Sequence, residues 1–219
     1  MSHSQILRWG WGIQMVSPLI PVLAATMHWQ SGRYVSFSWM RRLTAFVVFQ
    51  LVVNWTMLGM AINLKPNYWV ADLVHLPEAF LPLWVLAGLA LRFPMKVPLT
   101  LGGAAIVLST AWDASHVGLK AKWPLAAIVS CFALLMLCVG SFIALLLKEE
   151  TPRDNHPAYW LLGTWALDYG IMLMFYPMQT FFLQHLSREW ILVPWMLRFT
   201  IGLLLNITLA KTFLCRKTS

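Results

Sequence analysis

The chain has 219 residues, 59% hydrophobic and 11% charged, with a formal net charge of +8. An average soluble protein carries about 25% charged residues, and the interior of a soluble fold of this size cannot hide so much apolar surface. An ordinary water-soluble globule is excluded, and so is a nucleic-acid surface, because the basic residues sit between apolar runs and not on one solvated face.

A membrane-crossing helix needs about 20 mostly apolar residues, and seven such runs follow one another. The first is Trp11 to Trp29; it holds two prolines and is followed by further spans, so it reads as a retained helix and not a cleaved signal. The second, Leu43 to Leu64, carries no charge. The third, Tyr68 to Leu91, is interrupted by Asp72, His75 and Glu78. The fourth is Val97 to Ser115, and the fifth, Pro124 to Leu147, is the cleanest. The sixth, Ala158 to Gln184, contains Asp168, and the seventh, Trp190 to Leu214, contains Arg198. The longest polar stretch, Lys148 to Pro157, separates the fifth from the sixth. No soluble domain or internal repeat is evident, so residues 1–219 are expected to form a single all-α transmembrane bundle.

The lysines and arginines between the spans set an orientation. Arg8, Lys65, Lys120, Lys122 and Arg188 fall on one side. Arg33, Arg41, Arg42, Arg92, Lys96, Lys148, Arg153, Lys211, Arg216 and Lys217 fall on the other. The richer side is expected to be cytoplasmic, which leaves the N-terminus outside and the C-terminus inside. The expected location is a bacterial inner membrane or another cell membrane, with multiple passes. The 13 tryptophans suit the headgroup region, where one ring edge is wet. Cys131 and Cys138 lie in an apolar run and Cys215 near the C-terminal tail, so all three read as packing residues.

Ionisable groups at membrane depth cost about 2.5–3.5 kcal/mol each at the centre, which makes them the first candidates for function. Asp72, His75 and Glu78 are spaced by three, and so share an arc of one helix. Asp113 and His116 repeat the Asp-x-x-His spacing at the end of the next span. The two spans are antiparallel, so both pairs fall at the outer side. Carboxylates and imidazoles converging from two helices suit a divalent metal ion, with Asp72, His75, Asp113 and His116 as ligands. Without a metal, the same five residues suit acid/base chemistry. They read equally as interfacial groups and helix caps. Pro77 and Pro82 remove backbone donors beside His75 and Glu78, and a broken third helix there points to a pocket. Arg198, Glu78 and Asn54 lie at similar depth, which suggests an ion pair with a polar neighbour, or an arginine that receives an anionic group. Asp168 is deeper, beside Tyr169; it reads as a proton carrier or as a hydrogen-bonded buried acid.

No phosphate-cradling glycine loop, Cys-x-x-Cys pair or serine-hydrolase elbow is present. The expected function is a small membrane-embedded enzyme acting on a lipid-like or isoprenoid-like molecule. Asp72, His75, Glu78, Asp113 and His116 would be catalytic, and Asn54, Asp168 and Arg198 would bind substrate. The alternatives are a small permease or channel using the same groups, and a non-catalytic subunit of a membrane complex. Expected partners are membrane lipids, a small or lipid-like substrate, and another membrane subunit or a second copy of the chain.

Overall fold

The computed structural model describes residues 10, 12–13, 16–32, 34, 36–63, 68–90, 96–116, 124–148, 156–185 and 192–215; within these, the side chains of 61–62, 68–73, 90, 124, 148, 179–185, 192 and 195 are outside the description. Among the described residues seven helices follow in order: α1 Leu19–Ser31, α2 Ser38–Ile62, α3 Tyr68–Ala90, α4 Lys96–His116, α5 Pro124–Lys148, α6 Pro157–His185 and α7 Leu192–Phe213. No strand occurs among the described residues. Among the described residues, four stretches are long and apolar enough to cross a membrane: Ser38–Met60, Lys96–His116, Leu125–Leu147 and Met196–Phe213. Val74–Leu89 within α3 is apolar but shorter.

Burial is distributed as a lipid solvent demands. The outward faces carry large apolar side chains, with Leu108 70% and Met174 72% exposed. Ser109, Thr110, Asp113, Ser130, Ser141 and Thr164 are buried inside. In water such a surface would be one continuous association patch. The three cysteines are buried and unpaired by disulfides.

Each helix packs on the next, and α1 closes against α7. α3 also touches α5 directly, so α4 stands outside, braced across that pair. The ring is therefore α1, α2, α3, α5, α6 and α7. Its seams are polar. His28 Nδ1 donates to the Phe213 carbonyl at 2.9 Å, joining α1 to the end of α7. Trp29 Nε1 donates to Thr44 Oγ1 between α1 and α2 at 3.0 Å. Thr164 Oγ1 donates to Thr208 Oγ1 between α6 and α7 at 3.0 Å. Arg42 donates to the Trp84 carbonyl at 2.8 Å and lies over the Trp84 ring. Gly88 lets α3 approach α2 closely, because a Cβ there would stand 2.7 Å from Trp39 Cβ.

Local sequence explains the helix ends. α1 stops at Gly32, whose φ of 61° is the left-handed C-cap that glycine adopts without strain. α5 begins at Pro124, whose missing N–H is one that no helix start uses. Contrary to the expected break, α3 runs without interruption through Pro77 and Pro82. Each proline removes one backbone donor, leaving the carbonyls of residues 73 and 78 without their usual partners; the helices packed against α3 hold it helical through them.

The dry core lies at one end of the ring, where Met40, Leu43, Leu86, Leu161 and Phe213 are fully buried. These residues come from the start of α2 and α6 and the end of α3 and α7. Ile106 and Leu134, midway along α4 and α5, are buried as well, but the space between the ring helices is not wholly filled.

Candidate functional site

The unfilled part of the ring is a cavity of about 280 Å³. All six ring helices line it, and α4 does not. Helical spacing explains how. α2 contributes Phe46, Val47, Gln50 and Asn54, and α5 contributes Ala127, Ser130, Cys131 and Leu134. α7 contributes Arg198, Gly202, Leu205, Asn206 and Leu209. Each set repeats at three or four residues and so marks one face of its helix. Arg198 and Leu209 stand three turns apart, so the cavity extends roughly 16 Å along α7. Its volume is near the lower end of ligand pockets and holds about nine waters.

Glu78 of α3, Asp168 of α6 and Arg198 of α7 all line this space. Glu78 has the Gln50 side chain as its hydrogen-bonding neighbour and lies within electrostatic range of Arg198 and Asp168. Arg198 donates to the thioether of Met172 and sits over the Phe175 ring, 5.4 Å from its centroid. A sulfur and a ring face orient the guanidinium, and Glu78 and Asp168 lie within electrostatic range of it. Asn54 lines the cavity too, although its side-chain N–H₂ is spent on the Gln50 carbonyl at 2.8 Å. Trp165 and Tyr169 flank Asp168 in the lining, and Trp165 meets Phe46 edge-on at 5.4 Å.

The outer-side group of five separates. His75 lines the cavity, and its Nε2 lies 3.4 Å from Ser130 Oγ of α5. Asp113 is 3% exposed, and its Oδ2 accepts the Ala126 backbone N–H at 2.7 Å. It thus caps the start of α5 from a neighbouring helix, satisfying a donor that has no intrahelical partner. It remains within electrostatic range of His75. His116 is exposed, stacked on Trp112 at 4.0 Å, with Nδ1 bonded to its own helix and to Ser115. The side chain of Asp72 lies outside the described residues. No three His, Cys, Asp or Glu side chains gather as metal ligands among the described residues.

Sequence reasoning passed over Gln50 and Ser130. Gln50 had a signal, since it precedes Asn54 by one turn in an otherwise apolar span. Ser130 had none. Most helical hydroxyls here, including Thr26, Thr44, Thr56, Thr100, Thr110 and Thr200, bond back to the carbonyl one turn earlier. Ser130 instead faces another helix, which only the packing reveals. No family model, characterised protein or solved structure matches the chain.

Proposed function

We propose that the protein is a membrane-embedded enzyme that takes the polar head of a lipid-like molecule into the central cavity and reacts there. In this reading all seven helices cross the membrane, with the N-terminus outside. Three features support it: the alternation of helices with short connections, the excess of Lys and Arg on the C-terminal side, and the apolar outer faces. One observation carries the functional part. A cavity between the ring helices is lined by Arg198, Glu78, Asp168 and His75, and ionisable groups inside a membrane bundle are retained for chemistry or binding. Arg198 is the anchor for an anionic head group, oriented by Met172 and Phe175. Glu78 and Asp168 accept donors of the substrate or exchange protons with it. The volume suits a head group and its linkage, and leaves apolar tails among the surrounding lipids.

The test is conversion. Purified protein in nanodiscs of mixed membrane lipids is incubated, and the lipid pool is followed by mass spectrometry beside Arg198→Gln and Glu78→Gln variants. The expected result is a product that grows with time and is lost in both variants. An unchanged lipid pool over folded wild-type protein refutes the enzyme.

A small permease is the second reading. It is favoured by the lining that continues past Asp168 to Thr164 and Asn206, towards the opposite end of the bundle. Uptake of a polar solute into proteoliposomes without chemical change would select it.

A further inference from the structure

The contact between α3 and α5 brings a serine and a histidine together in the cavity lining. Ser130 is 5% exposed and lines the cavity. Its Oγ is 3.4 Å from His75 Nε2, the long end of hydrogen-bond range and a separation usual in nucleophile–base pairs before substrate arrives. With the imidazole proton on Nδ1, Nε2 accepts the Ser130 hydroxyl. Asp113, anchored on the Ala126 N–H, places a fixed carboxylate within electrostatic range of the same ring. A hydroxyl beside an imidazole is the pairing that activates serine on unrelated folds, and here a carboxylate lies within electrostatic range of the imidazole. Here the three groups come from α5, α3 and α4. Arg198 lies in the same cavity as the candidate anchor for a phosphate or carboxylate.

We infer that Ser130 is the nucleophile of an acyl-transfer reaction on a lipid ester, with His75 as its general base and Asp113 as a nearby charge that favours the protonated imidazole. The inference rests on the lipid-enzyme reading above and names its chemistry. Ser130 Oγ forms a bond to the ester carbonyl carbon while its proton passes to His75 Nε2. The tetrahedral centre collapses, the C–O bond to the alcohol breaks, and the alcohol leaves with the proton from Nε2. Water, or the hydroxyl of a second lipid, then attacks the acyl-serine. His75 takes that proton and returns it to Ser130 Oγ, so the acyl group leaves as a carboxylic acid or as a new ester. No oxidant, reductant or metal enters the balance.

An alkyl fluorophosphonate tests the pair directly, because the serine oxygen displaces fluoride from phosphorus with the same proton transfer. The full-length protein in mild detergent is treated with the probe, and the modified site is located by peptide mass spectrometry. The expected result is one adduct on Ser130, absent in Ser130→Ala. His75→Gln slows labelling by about 100-fold. Asp113→Asn keeps an oxygen for the Ala126 N–H and removes the charge, so the maximal labelling rate falls roughly tenfold while the half-saturating probe concentration stays unchanged. Native mass spectrometry of the same samples reads lipid binding. Protein that retains lipid yet stays unlabelled overturns the nucleophile and leaves the lipid reading standing. Protein that neither labels nor retains lipid overturns both. Labelling at a residue other than Ser130 overturns the assignment even if Ser130→Ala does not fold.

Discussion

Replacing Asp113 separates a structural acid from a chemical one. Its Oδ2 accepts the Ala126 N–H at 2.7 Å, and the side chain is 3% exposed. Asp113→Ala removes a charge-assisted hydrogen bond and leaves a helix-start N–H with no acceptor. Loss of a capping oxygen costs about 1 kcal/mol, and a buried donor left unsatisfied raises the total to about 2 kcal/mol. Asp113→Asn supplies a neutral oxygen in the same position and should cost about 0.5 kcal/mol. For a chain of this length 1 kcal/mol moves the unfolding midpoint by about 2–4 °C, so Asp113→Ala should lower it by roughly 4–8 °C and Asp113→Asn by roughly 1–2 °C. Thermal unfolding of the purified protein in one detergent, followed by tryptophan fluorescence, makes the comparison. Equal midpoints for wild type and Asp113→Ala refute the cap. A loss in Asp113→Asn as large as in Asp113→Ala shows that the charge matters to the fold and the acceptor does not, which also refutes the reasoning.

Two further outcomes follow from packing and burial. Gly88→Ala drives a methyl to within 2.7 Å of Trp39 Cβ, and overpacking of this kind costs about 1–3 kcal/mol; Gly59→Ala, inside α2 with open space around it, is the control and should raise the midpoint slightly, by about 0.5–1 kcal/mol of helix propensity. The Cys215 thiol lies past the end of α7, donates to the Lys211 carbonyl and is pushed up to about 11 by burial, an effect that Lys211 opposes. A raised value keeps the thiol protonated through neutral pH, so maleimide modification of Cys215 at pH 7.5 should run about 100-fold slower than that of a free cysteine. The rate should climb about tenfold per pH unit towards pH 10. Modification at the free-cysteine rate in folded protein, read from the Cys215 peptide, counts against the buried placement.

The helices were legible in the sequence because lipid leaves the backbone no other way to satisfy its polar groups. Residues 43–64 or 124–147 announce themselves by length and apolarity alone. The prolines of α3 misled, since a proline removes one hydrogen bond and need not end a helix whose neighbours hold it. The candidate site was legible as a set of polar residues inside apolar spans. Spacing of three places two residues on one helical arc, but it does not say which neighbour that arc meets. Thus Glu78, Asn54, Asp168 and Arg198 line one cavity. Asp113 turns to a backbone N–H, and His116 turns to Trp112 one turn before it. Both are local choices decided by the next helix start and by an aromatic neighbour. Ser130 was beyond sequence reasoning, because a serine in an apolar helix ordinarily bonds its own backbone.

The placement of α4 outside the ring has a consequence for genetics. A helix that lines none of the cavity, yet braces α3 and α5 and carries the Asp113 cap, is seen by selection through abundance. Changes along α4 should lower the amount of protein in the membrane and leave each surviving molecule competent, Asp113 excepted. Changes on the inward stripes of α2, α5 and α7 should leave abundance intact and silence the molecule. A saturation library sorted once by expression and once by activity would then divide into two geographic classes, with Asp113 among the few positions belonging to both.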